Sequence, residues 1–65
     1  MNKYDVVKIL VNKGKVKKGS MGTILEVWDG GTGFEVEFLD DQGYVIDCIC
    51  VERDELELVE KSSGK

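Results

Sequence analysis

An all-β fold is predicted for this 65-residue chain by three observations. Short runs rich in β-branched and aromatic residues recur along it, glycine- and aspartate-bearing turn signals separate them, and no window sustains the 3.6-residue period of an amphipathic helix. The length supports one small domain with one core, because a chain of this size buries only about 60% of its unfolded surface.

Residues 5–11 (DVVKILV) read as the first strand: Val6, Val7, Ile9 and Val11 are β-branched and Lys8 is the only interior charge. Residues 12–20 (NKGKVKKGS) carry two glycines, four lysines and one apolar residue, so a long loop without a buried face is expected. Residues 21–28 (MGTILEVW) form the second strand. Ile24, Leu25 and Val27 do not alternate strictly there, and a bulge near Glu26 reconciles them with one buried face. Residues 29–33 (DGGTG) are the strongest turn signal, since Asp-Gly and Gly-Gly admit the positive φ angles of tight hairpins. In residues 34–39 (FEVEFL), Phe34, Val36 and Phe38 alternate with Glu35 and Glu37, which gives a buried aromatic face and a solvated acidic one. Residues 40–43 (DDQG) make a second hairpin loop. Residues 44–51 (YVIDCICV) are nearly all apolar, as expected of a strand with much of both faces covered. Residues 52–55 (ERDE) suit a single helical or 3₁₀ turn, and residues 56–59 (LELV) close the pattern with a short last strand.

Five strands, a long loop after the first and a one-turn helix before the last describe a five-stranded SH3-like barrel of two small orthogonal sheets. An open sheet leaves the face of Phe34, Val36 and Phe38 without a cover, whereas a curled one lets Val7, Ile9, Ile24 and Leu58 close over it. The expected domain spans residues 1–60, and residues 61–65 (KSSGK) are expected to be a disordered C-terminal tail.

The segments YDVVKIL, KKGSMGTILEV, DGG, FEVEFLDDQG and DELELV, spread over residues 4–59, resemble a family of very small prokaryotic SH3-like proteins known only as a domain of unknown function. The resemblance implies the fold and a cytoplasmic prokaryotic origin, and it implies no catalytic residue and no cofactor. More distantly, the glycine ahead of a hydrophobic strand is similar to KOW-type and other ribosome- or polymerase-associated barrels.

Composition weighs against enzyme chemistry. There is no histidine, which removes the commonest general base and the commonest metal ligand together. Cys48 and Cys50 are the only cysteines, and zinc asks for four ligands, so both are read as thiols that serve as small hydrophobes on one strand face. Two residues apart on a strand, their Cα atoms lie about 6.6 Å from each other, which disfavours a mutual disulfide. Asp40, Asp41 and Gly43 lack the alternating carboxylates of a calcium loop, and the glycines of residues 29–33 feed a strand where a phosphate loop would need Gly-Lys-Ser or Gly-Lys-Thr and a helix. Glu35 and Glu37 share a face, but exposed glutamates on a strand usually serve solubility. No catalytic residue, metal or cofactor is expected.

Charge is polarised along the chain. Residues 1–18 hold six lysines against Asp5, a net +5, while the remaining 47 residues hold three cations against twelve carboxylates, a net −9. Lys13, Lys15, Lys17 and Lys18 in the first long loop are the cation cluster best placed to meet phosphates or an acidic protein surface. A net charge of −4 and the lack of an aromatic in that loop weigh against nucleic acid, and the third reading is a solvated loop that offsets the acidic remainder. Trp28 and Tyr4 are the aromatic candidates for a peptide groove of the SH3 kind. The expected function is a non-enzymatic binding module that contacts another protein, with an accessory role on nucleic acid or the ribosome through the lysine loop as the alternative. A monomer or weak homodimer is expected. Without a secretory segment or an apolar run near the roughly 18 to 20 residues of a membrane helix, a cytoplasmic address away from the membrane is expected.

Overall fold

The computed structural model describes residues 1–62. Five antiparallel strands make one sheet: β1 (Val6–Ile9), β2 (Met21–Trp28), β3 (Gly33–Leu39), β4 (Val45–Glu52) and β5 (Leu56–Glu60). Their spatial order is β4-β3-β2-β1-β5, so the first four strands run as a meander and the last returns to pair with the first. The pairing is continuous, where two separate orthogonal sheets were expected from the sequence. Bounds of β2 to β5 follow the sequence pattern to within a residue at each end. Strand β1 is shorter than residues 5–11: Tyr4 at φ 72° and the Asp5 amide bonded to the Asn2 carbonyl turn the chain just ahead of it, and Leu10 and Val11 bend away after it.

The alternation in FEVEFL becomes the core. Phe34, Val36 and Phe38 are fully buried and face Val7, Ile9, Ile24 and Val51, while Glu35 and Glu37 point away. In β2 the register with β3 jumps between Ile24 and Glu26, which leaves Leu25 as the inserted residue of a bulge. That jump lets Ile24 oppose Val36 and Val27 oppose Phe34 on one face, and it is the physical reason for the broken alternation. Gly22 opposes Phe38, and a Cβ there would lie 2.7 Å from Val36 Cγ1 and 2.8 Å from both the Glu37 carbonyl oxygen and Phe38 Cδ1. The missing side chain is what lets β3 close down on β2.

Three expectations are corrected. The lysine-rich loop does have a buried residue: Val16 is fully enclosed. Gly14 at φ 58° reverses the chain so that Lys13 and Val16 exchange backbone hydrogen bonds of 2.8 and 2.9 Å, and Gly19 donates to the Ile9 carbonyl at 2.8 Å. The loop is thereby stitched to β1 with its valine turned into the core. Leu58 does not close the core, because it lies on the edge strand β5 and is exposed; Leu56, opposite Ile9, takes that place. Strand β4 is covered on one face only, since Val45, Cys48 and Cys50 stand beside Leu39, Glu37 and Glu35 on the side of the sheet turned away from the core, and they are exposed.

Among the described residues Asp5 is the one polar side chain that is buried. Its carboxylate accepts hydrogen bonds from the amides of Ser62 at 2.6 Å and Asn2 at 2.8 Å, and these two bonds hold its pKa below the ordinary value against the opposing effect of burial. Lys61 and Ser62 belong to the segment 61–65 expected to be a tail, and residues 63–65 lie outside the described residues.

Candidate functional site

Trp28 ends β2 on the face of the sheet opposite the core, and its neighbours across the ladder are Gly33 and then Glu52. Because Gly33 carries no side chain, the row Trp28, Gly33, Glu52 is a trough with an indole on one wall and a carboxylate on the other. The trough is about 480 Å³ and Lys13, Asp29 and Cys50 complete its rim. A Cβ placed on Gly33 would meet only Trp28 Cβ, at 3.8 Å, so the floor has room for a group from elsewhere. Trp28 itself is 46% exposed. A further depression of about 660 Å³ shares Asp29, Gly33 and Glu52 and extends the trough toward Arg53 and Asp54.

The walls are held by the two 3₁₀ turns. In the first, Asp29–Gly31, backbone φ angles of 53°, 68° and 104° reverse the chain at once, and Thr32 Oγ1 donates to the Asp29 carbonyl at 3.1 Å. The second, Arg53–Glu55, is closed by a capping box in which the Glu52 amide donates to Glu55 Oε1 at 3.0 Å. The same Glu55 oxygen accepts from Lys13 Nζ at 2.9 Å, so a lysine of the long loop is carried to the trough by a residue 42 positions away in sequence. The bond from the Glu52 amide, and secondarily that from Lys13, keeps Glu55 below the usual glutamate range. Lys13 therefore reaches the rim with its charge largely offset, and Asp29 and Glu52 leave the trough net acidic.

The six residues singled out from the sequence do not form one site. Lys13 and Trp28 come together. Tyr4 does not line the trough; its ring is exposed, its amide donates to the Ile24 carbonyl at 2.7 Å, and Lys3 Nζ lies 5.7 Å from the ring centroid. Lys15 and Lys17 project into solvent and line neither depression. Lys18 borders a separate groove of about 660 Å³ whose floor includes Met21, Leu39 and Ile46 and whose far side carries Asp40 and Asp41. Sequence reasoning missed that groove. The available signal was Leu39, an apolar residue at the parity otherwise occupied by Glu35 and Glu37.

Cys48 and Cys50 are exposed on the outer face of β4, opposite Glu37 and Glu35, where buried small hydrophobes were expected. Cys48 Sγ donates to Glu35 Oε2 at 3.4 Å. Partial desolvation first, then this hydrogen bond and the charges of Glu35, Glu37 and Asp47, push the Cys48 thiol above its usual pKa and keep it protonated. Among the described residues no three histidine, cysteine, aspartate or glutamate side chains converge as metal ligands. No helix among them is long and apolar enough to cross a membrane.

Compared with known proteins, the chain matches over residues 3–58 the model of a family described as a domain of unknown function, DUF4926. No curated protein and no solved structure matches it.

Proposed function

The chain belongs to the DUF4926 family, and on that premise we propose that it is a small non-enzymatic SH3-like binding module whose partner is another protein, held at the Trp28 trough. The observation that carries this reading is a half-exposed tryptophan beside a side-chain-free residue, since an indole left in water next to an open floor is a ready anchor for a partner side chain. Asp29 and Glu52 on the rim favour a segment with cationic groups, which the indole face also attracts. The SH3-like assignment is supported by the return of β5 to β1, the long first loop and the 3₁₀ turn ahead of the last strand. Two free thiols on an exposed strand support a reducing, cytoplasmic setting, and the family resemblance of the sequence supports a prokaryotic one.

Affinity capture from the native host, read by mass spectrometry, tests the assignment with Trp28→Ala against wild type. The expected result is a partner lost with Trp28→Ala and retained by Lys15→Glu/Lys17→Glu/Lys18→Glu. An unchanged partner set with Trp28→Ala overturns it. One observation favours the nucleic-acid reading: Lys15, Lys17 and Lys18 are exposed and make no ion pair among the described residues. Titration with RNA and DNA at two salt concentrations separates the two, because three lysine contacts to phosphate give a slope of roughly −2 to −3 in log K against log salt. A flat, unsaturated titration removes the nucleic-acid reading.

A further inference from the structure

The face of the sheet at the far end from Trp28 is apolar where an outer face is ordinarily polar. Met21, Leu39 and Val45 are direct neighbours across β2, β3 and β4, and Ile46, which also packs against the core, lines the groove between them. Met21 is 41% and Val45 57% exposed, and the groove over Met21, Leu39 and Ile46 holds about 660 Å³. A contiguous apolar patch spanning three strands marks a contact surface more often than scattered single residues do.

Charge decides what fits there. Lys18 borders the groove on the side of the loop that leads into β2, and Asp40 and Asp41 border it at the turn that leaves β3. Lys18 and Asp41 make no side-chain ion pair with each other or with any other described residue, so one unpaired cation and one unpaired anion flank the apolar strip on opposite sides. A two-fold axis lying in the interface, parallel to the strands and running between Met21 and Leu39, exchanges those flanks. It lays Lys18 of one copy over Asp40 and Asp41 of the other, and apolar strip over apolar strip. We infer that this face is a self-association surface and that its occupant is a second copy of this chain.

The mode is face to face. Edge-to-edge pairing through β4 is opposed by carboxylates that already take two of its outward amides: Asp47 Oδ1 accepts from Cys48 at 2.8 Å and Glu55 Oε1 from Glu52 at 3.0 Å. Strand addition would have to displace both, and the second copy would bring the same carboxylates to the same line. Packing on the outer face leaves these bonds intact. A standard stable interface takes about 800 Å² from each partner, a large share of a molecule exposing 4382 Å² in all, so the dimer is a weak and reversible one.

Sedimentation velocity of the full chain from about 10 μM to about 1 mM tests the inference, together with amide chemical shifts over the same dilution. The expected result is a monomer–dimer equilibrium, with concentration-dependent shifts at Met21, Leu39, Val45 and Ile46 and none at Trp28. Met21→Glu, at an exposed position, removes the dimer while leaving the thermal melt near that of wild type. Lys18→Asp and Asp41→Lys each weaken dimerisation about threefold to tenfold, and the double variant recovers wild-type strength because the exchanged charges still meet across the axis. A wild-type chain that remains monomeric at 1 mM overturns the inference. So does a dimer indifferent to Met21→Glu, and so does a double variant no stronger than the single ones. The chemical shifts carry the test should Met21→Glu fail to fold.

Discussion

Replacing Gly22 by alanine adds one methyl group at a point of β2 that has no room for it. The new Cβ would stand 2.7 Å from Val36 Cγ1 and 2.8 Å from the Glu37 carbonyl oxygen and Phe38 Cδ1, all inside van der Waals contact. Val36 and Phe38 are fully buried and the third contact is backbone in the β2–β3 ladder, so relief requires the strands to separate or the core to shift. Such overpacking costs about 1 to 3 kcal/mol. The unfolded chain works in the opposite sense, since losing a glycine narrows its ensemble and ordinarily stabilises by about 0.4 to 1 kcal/mol. Steric strain wins, for a net loss of about 1 to 2 kcal/mol, and in a domain of this size that lowers the melting temperature by roughly 4 to 16 °C. Thermal unfolding followed by circular dichroism measures it, with Gly33→Ala as the internal control. A Cβ on Gly33 meets only Trp28 Cβ at 3.8 Å and the residue has no positive φ, so only the unfolded-chain effect operates and that variant melts roughly 2 to 8 °C above wild type. A Gly22→Ala protein at least as stable as wild type would refute the stated β2–β3 packing.

Phe38→Ala removes a fully buried ring and is expected to cost about 3 to 5 kcal/mol, a large part of the stability of so small a domain; a cooperative melt at the wild-type temperature would show that the ring is not in the core. Asp5 has a native pKa below its unfolded one, so its contribution is present above about pH 5 and is lost as the pH falls toward and below the native value. The melting temperature of wild type should decline as the pH drops from about 5 to 3, Asp5→Asn should be less stable at pH 7 and less sensitive over that interval, and a wild-type melting temperature that rises on acidification would contradict the Asn2 and Ser62 hydrogen bonds. Both thiols should react with a soluble thiol reagent in the native protein, Cys48 more slowly than the same residue in the denatured chain at equal pH. Reaction only after denaturation would mean that β4 is covered on its outer face.

How much of this could be read from the residues depends on the range of the interaction concerned. Strand positions and turns were legible because their causes are local: a two-residue side-chain period assigns Phe34, Val36 and Phe38 to one face, and glycines at 30 and 31 supply the positive φ angles of the hairpin. The β2 bulge was legible for the same reason, as a break in that period at Leu25. Strand β4 was misjudged because an apolar run records what a strand can tolerate, whereas the exposure of Cys48 and Cys50 is settled by the register with β3, which sets them beside Glu37 and Glu35 on the uncovered face. Val16 was misjudged because a lone apolar residue among lysines has no period, and its burial follows from the Lys13–Val16 backbone exchange that folds the loop over the core. The meeting of Lys13 with Trp28 likewise required the tertiary structure, since it passes through Glu55 and the pairing of Gly33 with both flanking strands. By itself the sequence determined the all-β architecture and its main core, because side-chain alternation and turn chemistry act within a few residues; the location of the exposed faces and their grooves was decided by strand order and register, which only contacts between distant segments can set.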